Sequence, residues 1–211
     1  ALSARASMID MDPPDHTRLR RLVNSGFIPK VIRTYTEIVR ERAGTLLDAM
    51  LSKGGGDWVA ELSKPIPIGI ICDMLGVPAE DEQQIFDWTN TILGAGDSDF
   101  AMDLDGLIMG AAGMLDYAQQ LGESRLSTPT DDIASILMHA EVDGQRLTPA
   151  EFGSFFILLA VAGNETTRNA ISWGMHQLTQ HPDQRELLRA NFDEMALTAA
   201  DEIVRWASPV I

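Results

Sequence analysis

Ala162-Gly163-Asn164-Glu165-Thr166-Thr167 stands at the end of the longest apolar run of the chain, Phe155 to Gly163, and places an acid, an amide and two hydroxyls inside a segment of helical spacing. Polar heads in an interior helix are costly unless they are used. A threonine hydroxyl can donate to the carbonyl four residues back, here Thr166 to Ala162, and beside a glycine this loosens the ladder into a local bend or groove. Such a groove can hold a small ligand and water. Glu165, whose carboxylate exchanges protons with solvent, and Thr166 can together donate a hydrogen bond or relay a proton to what is bound there. An ordinary polar patch on a half-exposed helix is the competing reading of the same residues.

The helix that carries this stretch is well marked. Thr148-Pro149-Ala150-Glu151 is a capping box with proline at the first helical position, and the helix runs to about Gln180, where His181-Pro182 closes it and opens the next. Upstream, the Pro13-Pro14 breaker predicts a short arginine-rich helix over 15–25. Val31, Tyr35, Ile38, Val39, Leu46, Leu47 and Met50 predict one helix over 30–52 with a buried face, ended by Gly54-Gly55-Gly56.

Residues 66–75 are apolar nearly all round and are taken as a buried helix. Two amphipathic helices follow, 79–94 and 103–123, joined by Gly94-Ala95-Gly96-Asp97-Ser98 and free to move, then a short one over 131–140. Val142-Asp143-Gly144-Gln145-Arg146-Leu147 predicts a tight hairpin turn. The last helix is expected to begin near Thr198 and to end before Pro209. The fold class is therefore mainly α with little β, and 1–211 is expected to be a single helical domain without repeats.

Composition narrows the function. The 211 residues are 45% hydrophobic, enough for a real core, and a net charge of -15 repels phosphate backbones, which argues against nucleic acid as a partner. The apolar run Phe155 to Gly163 is about half the length of a spanning helix, so no membrane span is expected. The single cysteine, Cys72, excludes an internal disulfide and fits a reducing, cytoplasmic location. No signal peptide is visible, and both ends look like cuts in a longer protein. Four histidines, His16, His139, His176 and His181, offer no His-x-x-x-His pair, so a zinc hydrolase is poorly served and no metal ligand is assigned.

Two further pairs have helical spacing. His16 and Arg20 share a face and offer two donors to an anionic group, or else belong to a solvated basic face with Arg18 and Arg21. Glu202 and Arg205 can form an ion pair, of a kind that usually lies on a surface.

Together the three sites resemble bacterial cytochromes P450. Met11-Asp12-Pro13-Pro14-Asp15-His16-Thr17-Arg18-Leu19-Arg20-Arg21 looks like their C helix, Ala162-Gly163-Asn164-Glu165-Thr166-Thr167 resembles the oxygen-groove signature of their I helix, and Glu202-Ile203-Val204-Arg205 matches the Glu-x-x-Arg of their K helix. The resemblance implies a partial P450 fold from the C-helix region through the K helix, with haem b as cofactor. His16 and Arg20 would bind the haem propionates. Ala162 and Gly163 would line the oxygen groove, with Glu165 and Thr166 as the acid-alcohol pair delivering protons to dioxygen. Glu202 and Arg205 would be structural.

The family reaction takes two electrons from a ferredoxin or flavoprotein and inserts one oxygen atom into an unactivated C-H bond. The wording around Glu165 and Glu202 is similar to the branch that hydroxylates methyl-branched lipids and steroid side chains, so a small apolar substrate is implied. Phe86, Trp88, Ile92, Leu93 and Phe100 would roof its cavity, with plain core packing as the other reading. The family's cysteine loop, Phe-x-x-Gly-x-x-x-Cys-x-Gly, has no counterpart around Cys72, so the axial thiolate is expected outside this chain, and the chain alone is expected to be inactive. A haem-free helical binding or interaction module is the alternative.

Overall fold

A computed structural model describes residues 7–94 and 104–209. Contacts divide the chain into two compact units, residues 1–40 with 68–162, and residues 41–67 with 163–211. The helices are α1 (Asp15–Val23), α2 (Pro29–Thr34), α3 (Thr36–Ser52), α4 (Pro65–Leu75), α5 (Glu82–Leu93), α6 (Leu104–Ser127), α7 (Ile133–His139), α8 (Pro149–Gln180), α9 (Pro182–Ala190) and α10 (Phe192–Ala207). The strands β1 (Glu141–Val142) and β2 (Gln145–Arg146) form one antiparallel hairpin, the little β that was expected. Asp143 and Gly144 turn it with φ of 55° and 76°, the doubly left-handed backbone that an Asp-Gly pair tolerates.

The core of the first unit is built on the long helix. Phe152, Phe156 and Ala160 follow one another at four-residue steps on α8, and all are fully buried beside Leu22, Leu75, Ile85, Met114, Leu137 and Met138. Phe86 lies within this core, and Trp88 and Ile92 pack against it. Of the two readings offered for these side chains, packing is the one the first unit realises. Phe100 and the segment 95–103 lie outside the described residues. Glycine spacing lets α5 and α6 approach closely: a Cβ on Gly113 would sit 3.0 Å from the Trp88 ring, and one on Gly110 would sit 2.7 Å from the Thr91 methyl.

Three expectations need correction. The helix over 30–52 is two helices, because Tyr35 is drawn into the core and its N–H donates to Ile32 O, three residues back, at 3.1 Å. Its predicted apolar face is also only partly covered: Tyr35 and Met50 are buried, whereas Ile38, Val39 and Leu47 are more than a third exposed. The last helix begins at Phe192 rather than near Thr198, with Asp193 and Glu194 in its first turn opposite the positive end of the helix dipole. Thr198 sits inside it and donates to Met195 O at 3.0 Å. Finally, α8 stays α-helical through residues 162–167, so the ladder expected to open there does not. Each of those residues keeps its backbone N–H, which proline would have removed, and the helix can absorb the polar side chains without a break.

Candidate active site

The α1 face carries the first group of predicted residues. Pro13-Pro14 precedes the helix, and Leu19, Leu22 and Val23 bury its inner face. Of its basic side chains, Arg18 donates to Glu151 and Arg21 to Asp143 at 2.7 Å. His16 and Arg20, one turn apart, make no side-chain hydrogen bond or ion pair among the described residues, with Arg20 exposed and His16 half-buried. Two of these four donors are thus engaged within the protein, and two have no side-chain partner among the described residues.

Glu151 explains why Arg18 is spent. Its carboxylate accepts from the Thr148 N–H at 2.9 Å and the Thr148 hydroxyl at 3.0 Å, while the Glu151 N–H donates back to that hydroxyl at 3.2 Å. This is the predicted capping box, completed by Arg18. Burial by itself raises the Glu151 carboxyl, but these bonds outweigh it and hold the group below the ordinary carboxylate range.

The α8 turn carries the second group. Asn164 is fully buried, Glu165 and Thr166 are half-buried, and Ala162 and Thr167 are exposed. The amide, rather than the acid, is therefore the residue the interior encloses, and neither polar atom of its side chain has a partner among the described residues. Glu165 accepts from Arg168 Nη2 at 3.2 Å, the two side chains being 40% and 23% exposed. Arg168 was not singled out in the sequence, although its three-residue spacing from Glu165 is the same signal that flagged Glu202 and Arg205.

On α10 the Glu202–Arg205 pair forms as expected, with two bonds of 2.5 and 2.6 Å. The hydrogen bonds from Arg205 keep the Glu202 carboxyl below its usual range. Both side chains are exposed, and Glu202 joins Trp173, Leu188, Met195, Ile203 and Trp206 in lining a groove of about 440 Å³ between the C-terminal part of α8, α9 and α10. Cys72 is fully buried in the first unit. No cluster of potential metal ligands exists among the described residues, and none of their helices is long and apolar enough to cross a membrane.

The sequence model of the cytochrome P450 family matches residues 108–204, the segment that holds the α8 turn and Glu202 and ends one residue before Arg205. The polyketide-synthase-associated cytochrome P450 PksS of Bacillus subtilis superposes with a TM-score of 0.90 at 35% identity, covering 97% of this chain and 52% of that one. The chain belongs to the cytochrome P450 family.

Within that family it is 50% identical over 208 residues to a methyl-branched lipid omega-hydroxylase of Mycobacterium tuberculosis, which covers 97% of this chain and 49% of the relative. It is 45% identical over 206 residues to a steroid C26-monooxygenase of Rhodococcus jostii, covering 98% of this chain and 42% of that protein. The chain thus spans about half the length of the relatives it matches.

Proposed function

We propose that the whole protein is a haem-dependent monooxygenase that hydroxylates an unactivated C-H bond of an apolar substrate, a methyl-branched lipid or a steroid side chain. The observation that carries this is the 50% identity, over 97% of the chain, to a hydroxylase of methyl-branched lipids. The balanced reaction consumes one dioxygen, two electrons and two protons and yields the alcohol and water. A cytoplasmic ferredoxin or flavoprotein is the fitting electron donor.

The residues fit haem b. Its propionates need cationic or N–H donors, and α1 leaves His16 and Arg20 available on one face while Arg18 and Arg21 are held elsewhere. Haem, when bound, would supply the oxidising chemistry, and Cys72, enclosed in the core, is not among the residues that would hold it.

The protein's own part is positioning and proton supply. Ala162 and Gly163 present almost no side-chain bulk, so a diatomic ligand can lie against the helix there. Thr166 donates a hydrogen bond to it. Glu165, part in solvent, brings protons in. Glu202 and Arg205 brace α10, and the two units are parts of one monooxygenase domain.

The test uses the full-length protein with a ferredoxin system. Reduced protein under carbon monoxide gives the thiolate-type Soret band, and a methyl-branched fatty acid or a steroid with an intact side chain is converted to the terminal alcohol, read by mass spectrometry. A full-length protein that takes up no haem on haemin titration overturns the reading in favour of a helical interaction module.

A further inference from the structure

The polar side chains enclosed in the first unit are all satisfied among the described residues. The Thr89 hydroxyl donates to Ile85 O at 2.8 Å, and Asp132 and Ser135 are bonded to one another and to Thr130. The second unit differs. Its two fully enclosed polar side chains among the described residues are Ser63 and Asn164, and neither Ser63 Oγ nor Asn164 Nδ2 or Oδ1 has a partner there. Trp58 Nε1 is a third enclosed group of the same unit without one. A buried donor or acceptor left unmade forfeits the bonds that it had with solvent, so folded chains hold few of them. Three such residues in one small unit ask for a common cause.

Trp58 and Ser63 stand at the two ends of one unusual turn. Val59–Ser63 is π-helical, with the Lys64 N–H donating five residues back to Val59 O at 2.9 Å, and Leu62 and Ser63 are its buried residues. Asn164 comes from α8, far along the chain, yet belongs to the same compact unit as that turn. The partner of these groups must be small. Ser63 and Asn164 are 0% exposed, which shuts out a further chain segment or an organic ligand. Water is small enough, and it both donates and accepts, as an amide and a hydroxyl together require.

We propose that enclosed water is a built part of the second unit, hydrogen-bonded to Asn164 on α8 and to Ser63 at the end of the π-helical turn. Trp58 Nε1 supplies one more donor to it. A tightly seated water leaves almost no free space around itself, so it suits groups with no exposure. The site lies behind α8 relative to the proposed oxygen position. Residues two apart on an α-helix are about 160° apart around the axis, so Ala162 and Thr166 both point nearly opposite to Asn164. Water on this inner side lets α8 carry a buried amide and still keep its backbone ladder through residues 162–167. The inference stands on burial and hydrogen bonding alone and does not depend on what the protein catalyses.

The test is a crystal structure of the full-length protein at a resolution that shows ordered water, with denaturation midpoints for Asn164→Leu and Ser63→Ala. Enclosed water peaks are expected within hydrogen-bond distance, about 3 Å, of the Asn164 side chain and of Ser63 Oγ. Asn164→Leu keeps the side-chain volume, loses the peak at α8 and lowers the midpoint by about 2 °C or more, because the water's other partners are then left unmade. Ser63→Ala loses the peak at the turn.

A midpoint raised by Asn164→Leu overturns the proposal, since it means that the amide was an unrelieved cost and held nothing. So does a parent structure in which both side chains turn onto protein groups with no water beside them. The parent structure decides alone where a variant fails to fold.

Discussion

Arg125 Nε donates to Asp132 Oδ2 at 2.6 Å, with side chains only 17% and 8% exposed, and this pair knots three elements of the first unit together. Arg125, near the end of α6, also donates through Nη2 to Gly76 O at 2.6 Å, at the left-handed turn (φ 69°) that ends α4. Asp132 caps α7 by accepting from the Ser135 N–H at 2.7 Å, and it accepts from the Thr130 hydroxyl at 2.6 Å. Burial raises the Asp132 carboxyl, yet the bonds from Thr130, Ser135 and Arg125 win and leave it below its usual value.

Asp132→Ala removes a helix cap and leaves Arg125 without its carboxylate, so unfolding in urea becomes easier by about 3 kcal/mol. The pH dependence follows from the depressed folded value. Stability from this group is fully present above the unfolded carboxylate value near 4 and is lost as pH falls through the lower folded value. In Asp132→Asn that acid-side loss shrinks, and a pH series of denaturation midpoints reads it. Gly76→Ala is damaging for a separate reason: its Cβ would lie 1.9 Å from Asp132 Oδ2, on a backbone that disfavours any side chain.

Arg18 and Arg20 are two residues apart and are expected to fail differently. Arg18→Ala breaks the tie to Glu151 and costs about 1 kcal/mol of stability, with haem retention nearly unchanged. Arg20→Ala leaves stability within about 0.5 kcal/mol. In the full-length protein it speeds haem loss to an acceptor protein about tenfold, the worth of one charge-assisted hydrogen bond. Equal effects of the two on haem loss would remove Arg20 from the propionate site.

Thr166→Ala in the full-length protein keeps haem and substrate binding but diverts consumed dioxygen toward hydrogen peroxide. The fall in coupling is on the order of tenfold, below the roughly hundredfold low end for a general acid-base partner because water can stand in for the hydroxyl. Oxygen uptake against alcohol formed measures it, and unchanged coupling takes Thr166 out of the proposed role.

Cys72→Ser puts a hydroxyl into a fully buried site and costs about 1–3 kcal/mol, while the full-length protein keeps its thiolate-type carbon monoxide band. The 211-residue chain made alone, with or without Cys72, gives no such band and no hydroxylation. A thiolate band from that chain that disappears with Cys72→Ser would place the axial ligand here after all.

Much of the fold is written in local signals. Thr148-Pro149-Ala150-Glu151 states where α8 begins, His181-Pro182 where it ends, and the Asp143-Gly144 pair states the hairpin, because each depends on the conformational limits of residues adjacent in the chain. The start of α10 was less legible: Thr198 has the chemistry of a cap, and only the helix's continuation from Phe192 shows its hydroxyl turned inward to Met195 O. The break at Tyr35 was likewise hidden, since Val31, Tyr35 and Ile38 keep helical spacing through it.

Short-range spacing also placed His16 with Arg20 on one face of α1 and Glu202 with Arg205 on one face of α10. A helix repeats every few residues, so a face can be counted from the sequence without knowing what it meets. What could not be counted is which of those groups remain at liberty. That Arg18 is engaged by Glu151 and Arg21 by Asp143, over 100 residues away in both cases, while His16 and Arg20 find no side-chain partner among the described residues, depends on chain segments brought together by burial of Phe152, Phe156 and their neighbours. Partner choice at that separation is a property of the packed core, and no periodicity in the chain encodes it.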